Sequence, residues 1–344
     1  MGNLKTPTAV IFYVTNKCNL RCCHCFYWDS LNKNTYELGL DAITKIVGSF
    51  ESPLSLSFTG GEPFLRKDFS DIVDIFVKNG KAKEIAIATN GFLVEKIIEF
   101  CERFLKEYPT IPLSFQVSLD GLEETHDSIR MVTGSFKRAI KTLDKLVDIS
   151  NRFQQLSVGA GIAVQKKNVD EIEGLIDLIG NGAIQVRINL IRGESSGTFG
   201  VKQSDSSHND PKEGGSIALN VEEMHRLYDI LCRKNEKHDF WTKRHKRIFE
   251  IGMEVLEKKK KVVDCYAGTI DAVIYANGDV AFCELTKEIG NLLDYKCDML
   301  KLWNSAEAIS MRPKVKNCFC THGCNISTSL MFDPEFVKEA LSLS

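Results

Sequence analysis

From residue 9 to about 191 the chain alternates short apolar runs with longer amphipathic ones, and this alternation limits the possible folds more than any other feature. The apolar runs are Ala9–Val14, Leu54–Phe58, Glu84–Ala88, Leu113–Leu119, Leu156–Val164 and Ile184–Ile191. Between them lie stretches such as Asp68–Lys78, Glu95–Leu105, Phe136–Ile149 and Val169–Ile179. Their apolar residues recur at three and four, as in Ile72, Ile75 and Phe76, which is the period of a helix with one buried face. Repeated strand–helix units imply parallel strands joined by right-handed crossovers. Six units fall short of a closed eight-stranded barrel. The expected fold is therefore α/β, a partial (β/α)6 TIM-like barrel, with a doubly wound sheet as the alternative.

The remainder divides into three parts. Residues 193–217 carry Ser and Gly clusters without an apolar period and read as a polar loop or linker. Residues 218–262 regain helical periodicity. Residues 263–344 read as a small cysteine-rich domain of hairpin and helix, with Thr269–Tyr275 and Val280–Glu284 joined through Asn277-Gly278. Leu302-Trp303-Asn304 is expected to begin a helix, with Trp303 packing. The barrel core thus occupies residues 1–192.

The net charge of −2 over 344 residues offers no basic surface for a nucleic-acid backbone. Lys258–Lys261 reads as the solvated end of a helix. No apolar run is long enough to span a bilayer and no secretory signal is visible, so cytoplasmic residence is the expectation. Twelve cysteines are present and bunched: four between residues 18 and 25, five between 283 and 324, and Cys265 just upstream. In a reducing compartment such bunching points to metal ligation rather than disulfides.

Cys18, Cys22 and Cys25 form C-x3-C-x2-C in the loop after the first strand. Three thiolates can hold three irons of a four-iron cluster and leave the fourth open to a ligand. A zinc site recruiting His24 is the alternative, although zinc prefers four ligands in paired knuckles. Cys23 falls outside the spacing. This run, Cys-Asn-Leu-Arg-Cys-Cys-His-Cys, resembles the motif of the radical S-adenosylmethionine (radical SAM) superfamily. The resemblance implies a [4Fe–4S] cluster whose open iron chelates S-adenosylmethionine, reductive cleavage to a 5′-deoxyadenosyl radical, and His24 beside the adenine.

Other strand ends extend the resemblance. Thr59-Gly60-Gly61-Glu62-Pro63 follows the second run. Its glycines permit close backbone approach and its carboxylate can accept from an ammonium group. The family has Gly-Gly-Glu-Pro here, which implies contact of Gly60, Gly61 and Glu62 with the methionine amino group. Thr89-Asn90-Gly91 follows the third run and Ser118-Leu119-Asp120-Gly121 ends the fourth. The resemblance places Thr89, Asn90, Ser118 and Asp120 near the cofactor and gives Arg130 the methionine carboxylate, which a guanidinium matches bidentately. His126 and Asp127 read as capping or ion-pairing groups. Gly161 in the fifth run would lie by the adenine; Asn189 and Arg192 close the sixth run as further contacts.

The second cysteine group comprises Cys265, Cys283, Cys318, Cys320 and Cys324. Four of these thiols could surround an auxiliary [4Fe–4S] cluster, or zinc. The hairpin arrangement resembles the SPASM extension or its shorter twitch form, with Cys265, Cys283 and Cys324 as ligands and Cys318 or Cys320 as the fourth. Cys297 is a lesser candidate, and Cys101 and Cys232 read as helix-face or core thiols.

Together these readings predict a radical SAM enzyme reduced by an external donor such as flavodoxin or ferredoxin. It would abstract hydrogen from an unactivated carbon, with the auxiliary cluster accepting an electron or binding substrate. Because the motif begins at residue 18, with no room for a peptide-recognition domain before it, a small-molecule or lipid- or sugar-type substrate is expected. Maturation of a ribosomally synthesised peptide is the alternative. The ending Ser342-Leu343-Ser344 lacks the Gly-Gly of the molybdenum-cofactor cyclases. The non-enzymatic rival is an iron–sulfur electron carrier or zinc-stabilised binding protein, which needs neither Gly60-Gly61-Glu62 nor Arg130.

Overall fold

The structure is a computed structural model that describes residues 5–180, 182–191, 198–199, 217–234 and 240–341. Six parallel strands follow one another in sheet order: β1 (Ala9–Thr15), β2 (Leu54–Gly60), β3 (Ala82–Thr89), β4 (Leu113–Ser118), β5 (Leu156–Val164) and β6 (Gln185–Leu190). The connecting helices are α1 (Leu40–Gly48), α2 (Phe69–Lys78), α3 (Val94–Glu107), α4 (Glu123–Arg130), α5 (Ser135–Ser150) and α6 (Ile172–Ile179). The sheet does not close, so the barrel is partial.

What prevents closure lies at the β1 edge. The C-terminal hairpin joins the barrel sheet: β8 (Asp271–Ile274) pairs parallel with β1, from Ala9↔Asp271 to Phe12↔Ile274. Strands β9 (Asp279–Ala281) and β10 (Glu288–Asn291) then continue antiparallel. Gly278 turns the hairpin at φ +94°, a conformation that glycine adopts without strain. The cysteine-rich region is thus built onto the barrel's own sheet. Trp303 is buried edge-on against Phe282 and is the last residue of its helix, Met299–Trp303, not the first.

Strand alternation divides the residues between two faces. In β2, Leu54, Leu56 and Phe58 are buried beneath the helices, while Ser55, Ser57 and Thr59 face the other way. In β4, Leu113, Phe115 and Val117 take the helix side. Phe12, Phe58, Phe69 and Phe76 meet there at ring separations of 5.6–6.2 Å. Because the helices absorb the apolar side of the sheet, its concave side is left with small and polar residues. Within the expected linker, Thr198–Phe199 (β7) pairs with Phe319–Cys320 (β11). Arg192 and most of residues 193–217 lie outside the described residues.

Candidate active site

The loop leaving β1 carries Cys18, Cys22 and Cys25 and is folded around asparagines. Asn16 donates its side-chain amide to the carbonyls of Ser30 and Lys33 and to Thr35 Oγ1. Asn32, at φ +57°, accepts from the Cys18 amide at 2.9 Å and donates to its carbonyl at 3.0 Å. Cys25 N donates to Cys22 O at 3.1 Å, which curls the end of the loop. Burial pushes the Cys18 thiol up to about 12 and Cys25 up to about 11, so both carry protons in the protein alone. Bound metal ions displace such protons.

Gly60 and Gly61 serve the loop itself. A Cβ on Gly60 would stand 2.3 Å from Thr15 O, and one on Gly61 2.3 Å from Lys17 O and 2.9 Å from Cys18 Cβ. Their bareness lets the cysteine loop lie directly on the end of β2, anchored by Gly61 N to Thr15 O and Glu62 N to Lys17 O. The Glu62 side chain is fully buried and does not line the cleft. Its carboxylate accepts from Thr89 Oγ1 and the Asn90 amide, both at 2.8 Å, and from Phe64 N at 3.3 Å. It therefore ties the ends of β2 and β3 together. Burial raises its pKa to about 7 against those hydrogen bonds. Asn90 reaches Asn19 Oδ1 at 2.9 Å.

Beside Arg130 and behind the cysteine loop, Asp120 is fully buried and does not line the cleft. Its Oδ2 stands 2.6 Å from Arg130 Nη2 and 3.8 Å from His24 Nε2, while Oδ1 accepts from the Ala163 amide at 2.8 Å. Arg130 also directs Nη1 at Cys22 Sγ, 3.4 Å away. Burial works against the charge on Asp120, but Arg130, His24, the Ala163 amide and His126 together outweigh it and hold the carboxyl below its ordinary value. Burial drives the His24 imidazole down to about 4, so it is neutral at physiological pH. His126 accepts from the Asp120 amide through Nδ1 at 3.0 Å, and Asp127 ties down Gly134, Ser135 and Phe136; neither lines the cleft.

A cleft of about 400 Å³ occupies the concave side of the sheet. Cys18, Cys22, His24, Cys25 and Arg130 form one wall, and Gly60, Gly61, Thr89 and Asn90 the adjoining one. Ser118, Gly161 and Asn189 line its floor. Gln116 is there too, a residue without a motif; a Cβ on Gly161 would stand 2.6 Å from its Nε2. The C-terminal region contributes Glu284, Thr321, His322, Gly323 and Cys324 to the lining. His322 Nε2 meets Glu284 Oε2 at 2.7 Å, and Tyr13 Oη donates to Glu284 Oε1. Glu284 and His322 escaped the motif reading because each was overshadowed by a neighbouring cysteine; a carboxylate ending an otherwise apolar strand was the available signal.

The other cysteines separate. Cys265, Cys318 and Cys320 line a void of about 20 Å³ on the outer side, with buried Cys283 close enough for its thiol to be raised, after burial, by Cys320 and Cys265. A hydrogen bond between the free thiols of Cys318 and Cys320, together with burial, raises the Cys318 thiol. Cys324 is exposed and faces the cleft instead. Cys297 and Cys101 are buried in the core. Among the described residues no three His, Cys, Asp or Glu side chains gather closely enough to hold a single metal ion. On the barrel wall, His24 Nδ1 and Arg130 Nε are buried without hydrogen-bond partners beside three thiols. That donor set fits a cluster carrying a polar ligand.

Comparison with known proteins agrees with this arrangement. Residues 12–179 match the family model of the Radical SAM superfamily, and residues 265–325 match SPASM, an iron–sulfur cluster-binding domain. The chain belongs to the radical SAM superfamily and carries a SPASM domain. Its cofactors are accordingly S-adenosylmethionine with a [4Fe–4S] cluster and auxiliary iron–sulfur chemistry in the C-terminal region.

Fe-coproporphyrin III synthase of Methanosarcina barkeri is 31% identical over 50% of this chain, which spans 40% of that protein's length. The sporulation killing factor maturation protein SkfB of Bacillus subtilis is 23% identical over 97% of this chain and 73% of its own. Among solved structures, Streptococcus suis SuiB bound to S-adenosylmethionine superposes with a TM-score of 0.59 at 16% identity, covering 88% of this chain and 66% of SuiB. No described helix is long and apolar enough to cross a membrane.

Proposed function

We propose that this enzyme modifies a peptide by radical chemistry, in one cleft lined both by the first cysteine loop and by residues of the C-terminal region. The observation that carries the reading is the cleft itself, which Cys18, Cys22 and Cys25 line together with Glu284, His322 and Cys324. A volume of about 400 Å³ lies in the range of sites for ligands of cofactor size. The extent of the relatives' matches supports a peptide substrate over the small-molecule or lipid-type one expected from sequence. Likeness to the porphyrin-making synthase stops at half of the chain, whereas likeness to the SkfB maturase runs through 97% of it.

In this reading Cys18, Cys22 and Cys25 hold the first cluster, and Cys265, Cys283, Cys318 and Cys320 the auxiliary one. A reduced cluster at the first site supplies the electron that cleaves S-adenosylmethionine to a 5′-deoxyadenosyl radical. The chain's residues do the rest by placement. Gly60 and Gly61 let the cysteine loop seat against β2. Thr89, Asn90, Ser118, Gln116, Gly161 and Asn189 present polar edges or bare backbone to the cofactor, and Glu62 braces the turn that carries Thr89 and Asn90. Transfer of a hydrogen atom to the adenosyl radical, followed by loss of one electron to the auxiliary cluster and one proton to solvent, would leave the peptide two hydrogens lighter. A flavodoxin or ferredoxin is the proposed donor of the first electron.

The test is anaerobic reconstitution with iron and sulfide, dithionite reduction and assay of 5′-deoxyadenosine, beside the Cys18, Cys22, Cys25 triple alanine variant. The nucleoside is expected only with the intact motif. Mass spectrometry of candidate peptides incubated with the active enzyme should then show loss of two hydrogens or a new cross-link. Nucleoside formation stimulated by a small metabolite, with every peptide inert, would instead return the substrate to the small-molecule class.

A further inference from the structure

The Ser118-Leu119-Asp120-Gly121 turn was expected to touch the cofactor, but Asp120 is withdrawn behind Arg130. We propose that Asp120 is a positioning residue: its buried carboxylate holds the Arg130 guanidinium against the Cys22 thiol and thereby sets the electrostatic environment of the first cluster. This rests on the assignment of Cys18, Cys22 and Cys25 as that cluster's ligands.

Four sets of contacts carry the inference. Asp120 is held by hydrogen bonds at three polar atoms: Oδ1 by the Ala163 amide at 2.8 Å, the backbone carbonyl by Asn168 Nδ2 at 2.9 Å, and the amide by His126 Nδ1 at 3.0 Å. Its Oδ2 is left for Arg130, 2.6 Å away. Arg130 reaches the thiol with another nitrogen, Nη1 to Cys22 Sγ at 3.4 Å. The same stretch of chain also holds the loop by its backbone, since the Cys23 amide donates to Ile129 O at 3.0 Å and the Arg21 amide to Arg130 O at 3.5 Å. Thus Cys22 is clamped between two backbone bonds and one charged one, all from the end of α4.

A rigid ion pair buried beside a thiol is a poor source of stability, because desolvation offsets much of its attraction. Its physical consequence lies elsewhere. A cation hydrogen-bonded to a ligating sulfur favours the more negative, reduced state of an iron–sulfur cluster and so raises its potential. The carboxylate alone would do the reverse. Asp120 therefore acts in two opposed ways, and the sign of its effect separates positioning from simple counter-charge. With Nη1 and Nη2 already engaged, Arg130 has its unpartnered Nε to offer a ligand in the cleft.

The experiment is a redox titration of the reconstituted full-length chain, followed by electron paramagnetic resonance of the signal that disappears in Cys22→Ala. Arg130→Gln should shift the first site's midpoint potential to a more negative value. Asp120→Asn should shift it in the same direction, and the double variant no further than Arg130→Gln alone. The auxiliary site's potential should stay in place throughout. A positive shift in Asp120→Asn, or none, overturns the proposal. Should Asp120→Asn fail to fold, Asp120→Glu keeps the charge and displaces the guanidinium; a negative shift supports positioning, and any other result overturns it. If Cys22→Ala removes neither iron nor signal, the ligand assignment itself fails, an outcome separate from a potential that does not move.

Discussion

Glu62 shows how a residue behind a cleft can brace the turns that line it. Fully buried and raised to about 7, its carboxyl favours the protonated form in the folded chain. A raised acid contributes most to stability below its unfolded value, and that contribution is lost as pH rises from about 4.5 through 7. The loss is on the order of 3 kcal/mol for a shift of this size. Glu62→Gln does not titrate, yet it turns an amide donor toward the Asn90 N–H, where the carboxylate accepts. The variant should therefore be less stable at pH 5, by about 1–3 kcal/mol plus that linkage contribution. Its gap to the unsubstituted chain should narrow toward pH 8. Denaturant melts of the apo-protein across this range check the trend; a gap that widens with pH contradicts it.

At the scale of elements, the site is made where the ends of β1, β2 and β3 converge, and its tolerance is set by backbone against backbone. Gly61→Ala would place a methyl 2.3 Å from Lys17 O, which is fixed by Glu62 N and cannot yield. The expected result is loss of iron from the first site with the auxiliary iron retained and the far-ultraviolet circular dichroism unchanged. Phe58→Ala, on the helix side of β2, should act oppositely. It removes a ring packed against Phe12, Phe69 and Phe76 and should cost about 3–5 kcal/mol of stability. The iron bound by the remaining folded fraction should not change.

For the whole molecule, the decisive feature is that the C-terminal hairpin extends the barrel sheet through β8 on β1. This brings Tyr13 of β1 against Glu284, and puts Cys324 in the cleft while Cys265, Cys283, Cys318 and Cys320 gather behind it. Iron analysis of single alanine variants tests that division. Cys265→Ala and Cys320→Ala should reduce iron by one cluster's worth, whereas Cys324→Ala should retain both clusters and alter substrate turnover. Loss of the auxiliary cluster in Cys324→Ala would restore the ligand set that the SPASM resemblance implied.

Strand positions, the parallel order and the C-x3-C-x2-C loop were legible in the linear chain, because period and spacing are local properties. Leu156–Val164 and the Asn277-Gly278 turn appear as read. Short-range chemistry also sufficed to mark Gly60, Gly61, Glu62, Asp120 and Arg130 as a group worth attention. Which way those side chains point was not legible, since it depends on what lies across the fold. Glu62 turns to Thr89 because β3 lies beside β2, and Asp120 turns to Arg130 because α4 packs the guanidinium over Cys22. The split of the second cysteine group had the same origin, as spacing ranks thiols along the chain but not by the side of the sheet they face. Sequence by itself determined the kind of chemistry this protein carries; the tertiary structure decided which residues meet the cleft and which hold them there, because burial and contact are properties of pairs distant in the chain.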